Sequence, residues 1–169
     1  MDQNDDFANR TYPVVEDMAR QRKAWRGEQI GWYVLMLLVL LSLLGLFSKG
    51  PLSTAQATST DGKLTVEYER FSRNGAEEKM VIAAKGQPGQ PLEVIIGAGL
   101  LEGFDLEALH PQSGPAHSLG RDLVVPLRAD SNGDATLYLT LRSNGVWLYR
   151  SAIALSTGAR VAVPKFIYP

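Results

Sequence analysis

From Ile30 to Phe47 the chain runs for eighteen residues without a charge or a proline (IGWYVLMLLVLLSLLGLF). As a helix rising 1.5 Å per residue it would span about 27 Å, close to the hydrocarbon thickness of a bilayer. Leucines fall on every side of that helix, so it lacks the single apolar stripe that seats a helix on a globular core. Residues 30–47 are therefore expected to form a transmembrane helix. Trp32 and Tyr33 sit at its N-terminal end, where amphipathic rings favour the headgroup level. Arg20, Arg22, Lys23 and Arg26 precede the run, and only Lys49 follows it before Asp61. This bias places the N-terminus in the cytoplasm and the C-terminal part outside. Ala55-Gln56-Ala57 has the small-x-small shape of a signal cleavage site. The run is longer than a signal core and the site lies ten residues past its end, so an uncleaved signal anchor is expected.

The flanks read differently. Met1 to Tyr12 is short, polar and acidic, as a disordered tail would be. Pro13 suits the first turn of a helix, and Glu16 and Asp17 follow where a helix start favours anions. Residues 1–29 thus read as a cytoplasmic tail with a juxtamembrane helix from about 13. Its Arg20, Arg22, Lys23 and Arg26 set topology and reach lipid phosphates. Gly27 and Gly31 form a small-xxx-small pair at this boundary, which permits close helix approach. Residues 48–62 (SKGPLSTAQATSTDG) hold little bulk and read as a linker.

From residue 63 to 169 the apolar period becomes two. Leu64, Val66 and Tyr68 alternate with polar residues; so do Met80, Ile82 and Ala84; Leu92 to Ile96 is a third strand. Leu123, Val125 and Leu127 make a fourth, with Pro126 pointing to an edge or bulge. In 134–142, Leu137, Leu139 and Leu141 face inward. The segments 146–155 and 160–168 bring the expectation to about seven or eight strands. Asn74-Gly75, Asn132-Gly133 and Asn144-Gly145 read as hairpin turns. Short alternating strands with frequent turns predict a mainly β, antiparallel sandwich behind one transmembrane helix.

Asp130-Ser-Asn132-Gly133-Asp134-Ala135-Thr-Leu137, with the later Gly145-Val-Trp-Leu-Tyr149, resembles the D-x-N-G-x-A-x-L hairpin and G-x-x-x-Y strand of bacterial immunoglobulin-like domains. The resemblance covers about 25 residues. It implies an immunoglobulin-like sandwich, a fold that serves as a spacer or binding module.

Candidate sites are few. Asp130, Asn132 and Asp134 suggest a calcium loop, but positions six and twelve from Asp130 hold Ala135 and Leu141 rather than glycine and glutamate. The stretch 97–122 is the least regular and holds both histidines, with a helical turn expected at Leu106–Leu109. His110, His117 and Glu107 are its candidate metal ligands, though in no recognised ligand spacing. Long loops on rigid sandwiches often carry binding, so this stretch is also a candidate partner contact. Trp147, Tyr149, Tyr138 and Phe104 are the aromatic candidates for partner binding. Trp147 and Tyr149 fall on one strand face, either outer or core. The acidic residues read as solubilising charge on strand faces.

The chain has no cysteine and a net charge of -1. Disulfides, thiol catalysis and cysteine metal sites are closed, and no basic segment argues for nucleic acid. No G-x-S-x-G, H-E-x-x-H or glycine-rich phosphate loop is present. No cofactor is expected, and the chain is not expected to be an enzyme; an anchored enzyme lacks support in the sequence. The leading expectation is a non-catalytic accessory or assembly subunit at a bacterial cytoplasmic membrane. Its sandwich would be periplasmic and would dock on a multi-pass membrane or periplasmic protein. The alternative is a tethered ligand- or metal-binding module using 97–122. The layout is similar to the copper-delivery factors of cytochrome oxidase assembly. Those carry a cysteine pair for copper, which this chain lacks, so only a structural helper role in such assembly stays open.

Overall fold

The computed structural model describes residues 18–44 and 53–169, with side chains from Gln21 onward. The expected tail, the helix start at Pro13, the side chain of Arg20, the end of the apolar run and residues 48–52 lie outside the described residues. Two compact units divide between Leu44 and Gly45.

The first unit contains helix α1 (Met18–Leu43). It is continuous through the cationic segment and into the apolar run, so Arg22, Lys23 and Arg26 share one helix with Trp32 and Tyr33. Its tryptophans and all its leucines but the half-buried Leu41 are exposed. Gln21–Leu43 is long and apolar enough to cross a membrane, a property that a signal sequence near an N-terminus shares.

The second unit is mainly β. Its strands are β1 (Thr54–Thr58), β2 (Leu64–Glu69), β3 (Phe71–Arg73), β4 (Glu77–Lys85), β5 (Pro91–Ile96), β6 (Phe104–His110), β7 (His117–Leu119), β8 (Asp122–Arg128), β9 (Asp134–Ser143), β10 (Trp147–Leu155) and β11 (Arg160–Tyr168), with one helical turn, α2 (Ala98–Leu101). They form a five-stranded sheet, β1-β2-β4-β9-β6, and a six-stranded sheet, β3-β11-β10-β5-β8-β7. All pairs are antiparallel except β3 with β11. Leu64, Val66, Met80, Ile82 and Leu137 from one sheet meet Val94, Ile96, Ile153 and Val163 from the other in a shared core. Period-two alternation produces this packing, because it puts every second side chain on the inner face.

Three expectations need correction. Residues 54–58, assigned to the linker, are strand β1, paired from Thr54 opposite Glu69 to Thr58 opposite Thr65. The expected helical turn at 106–109 is strand β6, whose alternation is interrupted by a register shift between Leu106 and Ala108; the helical turn lies earlier, at α2. None of the three Asn-Gly pairs closes a hairpin. Each joins strands in different sheets: β3 to β4, β8 to β9 and β9 to β10. Gly133 shows why glycine is still needed there. Its φ is +87°, and a Cβ would sit 2.6 Å from the Gly86 carbonyl oxygen. The hairpins proper turn near Gly62, Gly120 and Gly158, all with positive φ. Pro126 behaves as expected for a locally open edge, because β7 covers β8 only from Asp122 to Val124.

Two turns carry aspartates with lowered pKa. The Asp130 carboxylate accepts backbone N–H groups of Asp134 at 2.9 Å and Asn132 at 2.8 Å, and these bonds hold its pKa below the usual value. Asp61 is lowered in the same way, first by the Ser59 hydroxyl and then by the Lys63 N–H. Both folded values lie below the unfolded ones. Their stabilisation is therefore present above the ordinary carboxylate range and is lost as pH falls through the lowered values. The unfolding temperature is expected to drop on acidification below about pH 4. Asp130→Asn, which keeps an acceptor oxygen, should flatten part of that drop. An acid profile unchanged by this substitution would exclude Asp130 from it.

Candidate functional site

Two features of the sandwich depart from an ordinary alternating pattern. The first lies at one end of the six-stranded sheet. Strands β10 and β11 pair with Leu148 opposite Phe166 and Trp147 opposite Ile167. Strict alternation would send Trp147 inward with Tyr149 and Ile167. Trp147 instead has φ +79°, the left-handed region that a bulky side chain rarely occupies. Its ring is 66% exposed and meets Phe166 edge-on at 6.3 Å. Phe166 meets Tyr168 at 5.1 Å, and Tyr168 meets Phe71 of β3 at 6.0 Å. Val146 and Leu148 are exposed beside Trp147. The result is a continuous apolar, aromatic surface across β10, β11 and β3. Strained backbone of this kind persists where the surrounding structure enforces it, and such positions gather at binding sites.

Exposed charge near the aromatic end is cationic, at Arg73 and Arg150. Strands β3, β10 and β11 contain Arg73, Arg150, Arg160 and Lys165 and no carboxylate. The outer face of the five-stranded sheet carries Glu67, Glu77, Asp134, Lys79 and Arg142, with Arg142 bound to Glu107 and Glu77.

The point where the chain enters the sandwich lies at this same aromatic end. The Arg70 N–H donates to the Ser53 carbonyl at 2.7 Å, and the Phe166 N–H donates to the Arg70 carbonyl at 2.8 Å. Ser53 and the aromatic cluster are thus separated by a single residue's backbone.

The second feature is a buried ion pair. Lys165 of β11 is 1% exposed and Glu78 of β4 is 3% exposed. Their side chains meet between the sheets, Glu78 Oε1 facing Lys165 Nζ as an ion pair without an aligned hydrogen bond. Lys165 Nζ also donates to the Glu69 carbonyl at 2.9 Å and lies 4.8 Å from the Phe104 ring centroid. The Ser72 hydroxyl donates to Glu78 Oε2. Burial pushes the Lys165 pKa down, and the Glu78 charge pulls it part of the way back. Acidic residues are therefore not all surface charge. The pair was readable in phase: Glu78 shares the inward face with Met80, Ile82 and Ala84, and Lys165 shares it with Val161, Val163 and Ile167.

The sequence candidates distribute as follows. Trp147 is exposed, whereas Tyr149 is half-buried with its ring 6.2 Å from Phe104, so the two do not share a surface. Phe104 is 1% exposed and is a core residue, not a partner contact. Tyr138 is exposed on the outer face of the other sheet. His110 pairs opposite Tyr138, and His117 opposite Val124, in different sheets, while Glu107 is held by Arg142. Among the described residues no three His, Cys, Asp or Glu side chains gather as a metal site. The stretch 97–122, expected as one loop, divides among the helical turn α2 and strands β6 and β7, and the two strands lie in opposite sheets.

No family model matches the chain. No curated protein matches it. Among solved structures it is similar to a non-cellulosomal cohesin from the hyperthermophilic archaeon Archaeoglobus fulgidus, with 14% identity, a TM-score of 0.39, and coverage of 69% of this chain and 92% of that one. It is also similar to the cupredoxin domain of amoB from Nitrosocaldus yellowstonii, with 14% identity and a TM-score of 0.30, covering 54% of this chain and 56% of that one. The β-sandwich therefore rests on the strand order and core of this chain itself, and neither likeness carries to function.

Proposed function

We propose that this chain is a single-pass membrane protein whose α1 helix anchors the sandwich on the outer side of a bacterial cytoplasmic membrane. There it serves as a non-catalytic accessory or assembly subunit of a membrane protein complex. One observation carries this reading: the domain's apolar, aromatic surface lies at the end where the chain arrives from α1. From Leu44 to Ser53 there are nine Cα steps, which reach at most about 32 Å. A domain tethered that closely meets partners that are themselves at the membrane. Its outer face around Tyr138 carries charges of both signs and suits a polar protein contact.

Two measurements test the reading. A C-terminal alkaline phosphatase fusion is expected to be active and a C-terminal fluorescent-protein fusion dark, because the domain is exported; the reverse pattern would overturn the topology. Purification of the full chain in mild detergent is expected to retain one multi-pass or periplasmic protein in fixed ratio across preparations. A chain that always runs alone as a monomer would overturn the accessory role.

A further inference from the structure

We propose that the aromatic end of the sandwich rests on the phosphate layer of an anionic phospholipid surface. The proposal builds on the reading of α1 as a membrane span and names what the tethered end contacts. Three observations point to lipid. Trp147, Leu148, Phe166, Tyr168 and Phe71 form a surface of the kind that settles at a membrane interface, with Trp and Tyr presenting an apolar body and a polar tip. Arg70, Arg73 and Arg150 lie exposed beside it, and guanidinium groups bind phosphate oxygens in paired hydrogen bonds. The neighbouring carboxylates, Glu69, Glu77 and Asp105, belong to strands of the other sheet; Glu77 is held by Arg142, and Asp105 accepts the side-chain amide of Asn144.

The third observation is position. Ser53, Arg70 and Phe166 are joined by consecutive backbone hydrogen bonds, so the tether delivers this end of the domain, and not the opposite end with its Gly62 and Gly158 turns. A short tether raises the local concentration of whatever lies at the membrane surface, and lipid headgroups are always there. The left-handed backbone of Trp147 turns its ring out of the core and onto this surface. A protein partner on the same face would need no general preference for anionic lipid, and that difference decides the test.

The chain contains three tryptophans, Trp25, Trp32 and Trp147. The full chain with Trp25→Phe and Trp32→Phe would carry Trp147 as its sole tryptophan. It would be placed in nanodiscs of phosphatidylcholine with phosphatidylglycerol, with and without brominated acyl chains. The expected result is blue-shifted Trp147 emission that bromines near the headgroups quench, with quenching at least halved in pure phosphatidylcholine. Arg70→Glu, Arg73→Glu and Arg150→Glu combined should also abolish most of the quenching while near-ultraviolet circular dichroism stays unchanged. Water-like emission without quenching, in a chain that has entered the discs, would overturn the lipid contact and leave the anchor standing. Equal quenching in both lipid mixtures would overturn the anionic preference. Blue-shifted emission in native membranes but not in discs would assign the face to a protein. A chain that does not enter discs would overturn anchor and contact together.

Discussion

Replacing Lys165 by methionine is expected to destabilise the sandwich by about 3–5 kcal/mol, because it leaves the Glu78 carboxylate buried without its counter-charge. On a domain of this size that corresponds to a fall in unfolding temperature on the order of 15 °C. Glu78→Leu alone should cost a comparable amount by orphaning the ammonium. Lys165→Met combined with Glu78→Leu should recover most of the loss and end within about 1 kcal/mol of the original or above it, since well-packed apolar residues often replace a buried pair without penalty. Urea unfolding of the full chain in mild detergent, arranged as a double-mutant cycle, measures the coupling. Additive single and double effects would show that the two charges do not interact across the core. A cycle with the expected recovery would mark the pair as a specifier of sheet pairing rather than a source of net stability. The pair ties β4 of one sheet to β11 and, through Ser72, β3 of the other.

Phe104→Ala is expected to cost about 3–5 kcal/mol, the range for truncating a fully buried aromatic ring. The ring fills the space between Tyr149 and the Lys165 ammonium, so its loss opens a cavity beside a charge. Phe104→Leu, which keeps most of the volume, should cost about 1 kcal/mol. Thermal unfolding separates the two variants. A Phe104→Ala chain with unchanged stability would restore the surface role that an aromatic residue in an irregular stretch suggests. Trp147→Gly makes the opposite case. It relieves a left-handed backbone and gives up one edge-on ring contact, so its stability should stay within about 1 kcal/mol.

Seven strands were legible as alternation, and they are the interior strands of the two sheets: β2, β4, β9, β11, β10, β5 and β8. The four that escaped, β1, β6, β3 and β7, are the terminal strands of those sheets. The reason is physical. An interior strand in a sandwich needs one continuous apolar face, whereas an edge strand can be short, polar or irregular and still pair on one side. Thr54–Thr58 has no bulky residue, Phe71–Arg73 is three residues long, β6 is interrupted between Leu106 and Ala108, and His117–Leu119 is exposed throughout. Asn74-Gly75 and Asn132-Gly133 do turn the chain, whereas Asn144-Gly145 is only a bend, and local turn chemistry does not state whether the next strand returns beside its neighbour or crosses to the facing sheet. Glu78 and Lys165 hold inward positions in otherwise apolar rows, where charge argues for the surface and only phase points to the core. The outward turn of Trp147 was not legible, since its phase with Tyr149 predicts a shared face and only the backbone angle separates them.

Glu78 and Lys165 stand on the fourth and the last strands of the sandwich, and the hydrogen bonds that β3 makes to β11 also await that last strand. A chain made from its N-terminus cannot form the Glu78–Lys165 pair, or seat β3 in its sheet, until β11 has been synthesised. Until then Glu78 has no cationic partner inside and every reason to stay in water. The buried pair therefore bears on timing: the inward row of β4 gains its counter-charge only when β11 arrives.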